Sequence, residues 1–213
     1  MEAADAADVI RELREDRAEH DAEERFRSRV ALVIAVLATL LAIATLGGGN
    51  VAEDMINSNI HASDTWAFYQ AKNIRQTAMN LAADEMETLL LASGPTLPEQ
   101  ARRDIEDKVA RYRATAARYD DEPDPDAPAD SLRGEGKKQL AVQARNWEAQ
   151  RERAQEQDAN FDYSGVLYQI AIVLGSVAIL ALSRPVLWIA LGMGGVATLL
   201  MLNGFFLLVH LPL

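Results

Sequence analysis

Three stretches of the chain contain no Asp, Glu, Lys or Arg: Val30 to Ala52, Tyr163 to Ser183 and Pro185 to Leu213. Everything between them is dense with charge. Each stretch is long enough to cross a hydrocarbon core of roughly 30 Å at 1.5 Å per helical residue. A lipid interior offers no partners to free backbone N–H and C=O groups, and the segments lack the period-2 alternation of a barrel strand, so a helix is the spanning form they predict. The expected fold is an all-α membrane protein, three transmembrane helices with an elongated extramembrane helical bundle between the first and second. The predicted divisions are a charged tail over residues 1–29, a transmembrane helix over 30–49, an extramembrane helical domain over 50–162, a second transmembrane helix over 163–183 and a third over 185–209.

The net charge of -11 excludes one class of partner. Nucleic-acid binding needs clustered cations on phosphates, and here every basic region is interleaved with acids. With no cysteine, thiolate catalysis and thiolate zinc sites are excluded as well. The small residues after the first apolar run, Thr45 to Gly49, invite comparison with a signal peptidase site. The 29-residue polar approach is too long for an n-region, however, and the run is long enough to span, so it reads as a signal anchor.

Orientation follows the basic residues beside the apolar runs. Arg25, Arg27 and Arg29 precede the first, and Arg184 is the one charge in the turn Leu182-Ser183-Arg184-Pro185. Three spans put both sites on one side, which the positive-inside rule makes cytoplasmic. Residues 50–162 and the end of the chain are then expected in the periplasm.

Within 50–162 the pattern is helical. Val51 to Leu91 has no Pro or Gly, and its apolar residues recur near a 3.6 period. Ser93-Gly94-Pro95 stops that helix. Thr96 as N-cap with Glu99 closing a capping box predicts a second, to about Tyr119. The acidic, Pro-rich run 120–130 is expected to be an irregular solvated loop, and Lys137 to Asn160 a third helix leading into the second span. No sustained heptad is visible, and large aliphatics are scarce outside the first helix, so the core is thin and oligomerisation or a partner is the expected source of further burial.

Residues for catalysis are sparse. His20, His61 and His210 lie in three regions, and Gly47-Gly48-Gly49 lacks the Lys-Ser/Thr of a phosphate loop. The expectation is no enzyme, no cofactor and no metal site. Asp120 to Asp130 is rich in oxygen ligands, but its spacing does not match an EF-hand. Aromatic density peaks at Trp66, Phe68 and Tyr69 beside Lys72. With Trp147 these are the candidate interaction residues, and packing of Trp66 and Tyr69 against the Trp147 helix is the plainer expectation. Inside the apolar segments, Ala31-x3-Ala35, Ala38-x3-Ala42, Ala171-x3-Gly175 and Ala190-x3-Gly194 predict close helix contacts, within one chain or between chains. Asn203 is taken as the one strongly polar side chain deep in a span, too little for an ion or proton path.

The run Ile60-His61-Ala62-Ser63-Asp64-Thr65-Trp66-Ala67-Phe68-Tyr69-Gln70-Ala71-Lys72-Asn73-Ile74-Arg75 resembles the signature of a bacterial family of unknown function numbered 4337, with its Ala-Ser-Asp-x-Trp-Ala-Tyr-Tyr-Gln-Ala-Lys-like motif shortly after a first span. The resemblance covers most of residues 20 to 205. Phe68 stands where Tyr is usual, and the Pro-Asp insert at 120–130 departs from the pattern. It implies a multi-pass protein of the bacterial inner membrane with no assigned activity. The function expected is a non-catalytic scaffold or accessory subunit of a larger membrane complex, or a homo-oligomer, held in the lipid bilayer and associating through its small-residue spans and helical arms. The alternative is a periplasmic helical-bundle sensor binding a small ligand, favoured by a cavity between Trp66, Tyr69 and Trp147.

Overall fold

In the computed structural model, which describes residues 2–210, every regular element is helical. Four α-helices follow one another: α1 (Glu2–Ser93), α2 (Glu99–Asp120), α3 (Lys137–Ala181) and α4 (Arg184–Phe206). Three of them are long and apolar enough to cross a membrane. The chain divides into two compact units. One comprises the chain up to Glu53 and from Ala154 onward, the other Asp54–Arg153.

In the first unit, the apolar parts of α1, α3 and α4 pack along seams of alternating three- and four-residue steps. On α3 the buried positions are Phe161, Ser164, Tyr168, Ala171, Gly175 and Ala178. On α4 they are Ala190, Gly194, Ala197, Met201 and Gly204, and on α1 Val30, Leu37, Ala44 and Gly47. A mean spacing of 3.5 residues keeps each seam facing its neighbours. Large residues of one helix enter notches on another. A Cβ on Gly194 would lie 2.6 Å from Leu37, and one on Gly175 would lie 2.9 Å from Ile34. Tyr168 is fully buried and places its hydroxyl 3.0 Å from that of Thr198.

Three consecutive glycines in mid-helix cost about 1 kcal/mol each relative to alanine, yet α1 continues through Gly47-Gly48-Gly49. Packing supplies the reason. Phe161 lies across Gly47 so closely that a Cβ there would sit 2.7 Å from its ring, with Phe205 3.0 Å away, and the two rings meet edge to face. Gly204 approaches the other edge of Phe161.

The far end of α4 is tied down by amides. Asn203 donates to Asn160 Oδ1 at 3.0 Å and to the Val209 carbonyl at 2.8 Å, and accepts from the Val209 N–H. Gln157 donates to the carbonyl of Gly204 at 3.0 Å, and His210 sits 2.7 Å from Glu156. Buried Asn203 is therefore a helix-end clasp, and its amide is used up within the chain. At the other end of the hairpin, Pro185 falls in the first turn of α4, so Leu182 and Ser183 alone make the connection. Leu182 has φ 49°, the left-handed geometry of a helix C-terminus that glycine normally takes.

The second unit packs the rest of α1 against α2 and the start of α3. Apart from Leu140, its buried side chains are small or polar: Ser58, Ala62, Lys72, Ala83, Ala116, Gln139 and Ala144. The expected capping box at Thr96 does not form. Residues Gly94–Thr96 make a 3-10 turn, the Thr96 hydroxyl donates to the Ser93 carbonyl, and Pro98 takes the N-cap position of α2 without a side-chain cap. Arg102 holds the turn instead, donating to the Gly94 carbonyl at 2.7 Å.

Two outcomes test these packing arguments. Gly47→Val should destabilise the first unit by about 1–3 kcal/mol, because the added carbons meet the Phe161 ring. An unchanged thermal melt of the full chain in detergent would disprove the contact. Leu182→Gly should raise stability by about 1 kcal/mol by relieving the left-handed leucine. A lowered melt would mean that the Leu182 side chain contributes more than its backbone costs.

Candidate functional site

The aromatic motif of α1 lies where α1, the end of α2 and the start of α3 converge. Two helical turns place Trp66, Tyr69 and Asn73 toward the other helices, and Lys72 projects beside them. Trp66 Nε1–H donates to Glu148 of α3 at 2.9 Å, and its ring meets Tyr69 edge to face at 5.5 Å. Tyr69 lies beneath the Lys137 ammonium at 5.8 Å. That ammonium donates to Asn73 at 3.0 Å and lies 3.7 Å from Asp120. Each residue type is used for its dual nature, an apolar body against the bundle and a polar tip on the neighbouring helix.

Lys72 is the centre. Its side chain is only 4% exposed, and its ammonium lies 2.9 Å from Glu122 and 3.5 Å from Glu135. The rings of Phe68 and Tyr119 stand 5.3 and 5.7 Å away. A buried ammonium needs such partners, since isolated desolvation costs several kcal/mol. The two carboxylates lie on either side of Pro123, Pro125 and Pro128, so Lys72 gathers the loop that follows α2.

The loop has its own backbone logic. Glu135 and Gly136 N–H groups donate to the Glu122 carbonyl at 2.9 and 3.3 Å, and Gln139 bridges the Glu122 N–H and the Asp121 carboxylate. Gly134 has φ +99°, and a Cβ there would strike the Glu122 carbonyl, so only glycine fits. Within the Pro-rich run, Asp124 and Asp130 accept N–H bonds from Asp126 and Leu132, two residues on in each case. These are Asx turns, and they make the loop a string of tight turns. Among the described residues no group of three or more His, Asp or Glu side chains is placed to hold a metal ion.

Trp147 joins this region through His61, whose ring stacks on it at 4.7 Å, while Trp66 takes the neighbouring Glu148. Phe68 stays 38% exposed beside Lys72. On the outer side, Arg113 of α2 binds Asp84 and Glu87 of α1, and the hydrogen bonds it donates to Glu87 and then to Asp84 raise its pKa. Asp121 is held below the usual carboxylate range by the Gln139 amide and then by Lys138.

The predicted packing residues divide into two groups. Ala171, Gly175, Ala190, Gly194 and Asn203 are buried in the first unit. Ala35, Ala38 and Ala42 are not. They face outward, because the buried stripe of α1 is Val30, Leu37, Ala44 and Gly47. A contact needs a small residue on one partner only, and here α3 and α4 supply the notches while α1 supplies Ile34 and Leu37. Two polar residues were missed by sequence reasoning. Asn160 joins the Asn203 clasp, and Gln169 is a second amide within a charge-free segment, exposed and without a hydrogen-bond partner among the described residues. Reading every amide in the apolar runs, and not Asn203 alone, would have found Gln169.

The convergence around Lys72 predicts that Lys72→Met lowers stability by about 1–3 kcal/mol, the loss of a charge-assisted bond with its partner left behind. Glu122→Gln should then add less in the Lys72→Met background than alone, and equal additive losses would show that the pair is uncoupled. The lowered Asp121 pKa stabilises the fold above its ordinary value of 3.8, and this contribution is lost as the pH falls through the folded value. Melts taken downward from pH ~5 should fall more steeply for the wild type than for Asp121→Asn. Parallel curves would refute the assignment.

The family model described as Domain of unknown function (DUF4337) matches residues 26–207. No curated protein and no solved structure matches the chain.

Proposed function

The chain belongs to the DUF4337 family, a domain of unknown function, so its role has to be read from its own architecture, and we propose a non-catalytic integral membrane scaffold or accessory subunit. The observation that carries this reading is what the apolar helices leave outside. Leu32, Val36, Leu46, Val173, Leu180, Trp188, Leu199 and Phe206 are all more than half exposed. No more than 28% of each apolar stretch is buried. A water-soluble protein does not carry this much contiguous apolar surface, whereas lipid solvates it without penalty.

Arg25, Arg27, Arg29 and Arg184 then lie on the cytoplasmic side of a bacterial inner membrane, with residues 50–162 in the periplasm. Association is supported by the two outward faces of α1. In the apolar part these are Ala35, Ala38 and Ala42, which allow another helix to come close. In the second unit Ile56, Ile60, Ile74 and Leu81 are each at least half exposed on one face of the helix. The reading as non-catalytic rests on how the polar atoms are used. Around Lys72 they hold helices and a loop together, and no nucleophile there is paired with a base.

Two measurements test this. Alkaline carbonate extraction of membranes should leave the full chain in the pellet, and release into the supernatant would disprove the membrane reading. Purification in mild detergent with native mass analysis should give a stoichiometric complex with other membrane subunits or with further copies of the chain. A monomer alone would disprove the scaffold role.

A further inference from the structure

Along the first unit, α1 and α3 leave an open cleft of about 250 Å3. Leu41, Thr45, Gly48 and Gly49 form one wall, and Asp162, Gly165, Val166 and Gln169 the other. The glycines create it. A Cβ at Gly49 would meet nothing within 4 Å, and one at Gly165 would touch only Leu41, at 4.0 Å.

The cleft is polar at two depths. Asp162 is the last charge before the segment 163–183 and stands at its mouth. Asp158, one turn earlier on α3, puts a second carboxylate at this end, and its pKa is raised by burial and then by Asp162. Gln169 lies seven residues further along the same face of α3, about 10 Å deeper. Its amide has no partner among the described residues. Thr45 turns its hydroxyl proton back to the Leu41 carbonyl, which leaves its oxygen free to accept. Between these groups the walls are Leu41, Val166 and bare helix backbone.

We propose that this cleft binds one phospholipid with a primary-amine headgroup, phosphatidylethanolamine. The Asp162 carboxylate takes the ammonium, the Gln169 amide donates to an ester carbonyl, and an acyl chain lies in the glycine-lined groove. The charge at the mouth selects the headgroup. An ethanolamine ammonium has N–H donors for a carboxylate, choline has none, and an anionic glycerol headgroup is repelled. An amide facing lipid is costly when unmet, and the ester carbonyl meets it at the right depth.

The proposal rests on the membrane reading above, and its test separates the two. The full-length chain is reconstituted in vesicles of phosphatidylethanolamine and phosphatidylcholine in equal parts. Insertion is scored by resistance to alkaline carbonate. The protein is then re-extracted in mild detergent for native mass analysis of retained lipid. The wild type should stay inserted and retain one phosphatidylethanolamine in preference to phosphatidylcholine by about tenfold. Asp162→Asn, a surface change that leaves the fold intact, should abolish the preference. Gly165→Leu should abolish retention by filling the groove. Release by carbonate would overturn the membrane reading. An inserted protein that retains no lipid, or that retains both lipids equally or unchanged in Asp162→Asn, would overturn the cleft alone. So would disulfide-linked dimers of Gly165→Cys in a chain otherwise without cysteine, because a second copy would then occupy the groove.

Discussion

Both units are closed by small residues, and much else follows from that constraint. Where Ala, Gly and Ser face each other across a seam, helix backbones come close and dispersion contacts run along the backbone itself. Little room remains inside for Leu, Ile or Trp, so these are displaced outward. In the first unit Val30, Leu37, Phe161, Tyr168 and Met201 are the large residues that are buried, and several meet glycines: Leu37 lies against Gly194 and Phe161 across Gly47 and Gly204, while half-buried Ile34 lies against Gly175. An outward apolar coat is thus the necessary counterpart of a narrow core. It is stable only in a solvent that tolerates it.

The second unit faces the same constraint with less apolar material, and closes with charge and hydrogen bonds instead. Lys72 occupies a place that a leucine would fill in an ordinary helical core. Its ammonium reaches Glu122 and Glu135, residues separated by a Pro-rich run that no regular element could order. Such a centre gives directionality, since an ammonium must have its carboxylates where a hydrophobe would accept many neighbours. This explains how a loop rich in proline and aspartate can return the chain to the same place from which α2 ends. Glycine at 134 completes the turn where any side chain would strike the Glu122 carbonyl.

Helix class and the three long apolar segments were legible from charge-free length alone. The break at Ser93-Gly94-Pro95 and the irregular 120–130 run were legible from local chemistry. The capping box was not, because Thr96 found a nearer acceptor in the Ser93 carbonyl and left Pro98 at the helix start. For the candidate site, the residue types of Trp66, Tyr69 and Lys72 marked it as a centre. Their partners Glu148, Glu122 and Glu135 lie 82, 50 and 63 positions away and carried no local signal.

The small-residue motifs show where that boundary lies. Each was visible as spacing, and spacing says only that one face of a helix can be approached. Which face is approached depends on the partner's shape. Gly175 and Gly194 were buried because Ile34 and Leu37 needed notches, and Ala171 and Ala190 lie on the same seams, whereas Ala35, Ala38 and Ala42 were left outside because α1 had already contributed its large residues to the contact. By itself the sequence determined where the chain is helical and which segments can leave water, since those depend on local propensity and on the free energy of single side chains. Only the tertiary structure decided which faces meet, how Lys72 is neutralised and where a cleft stays open, because those depend on the fit of side chains distant in the chain.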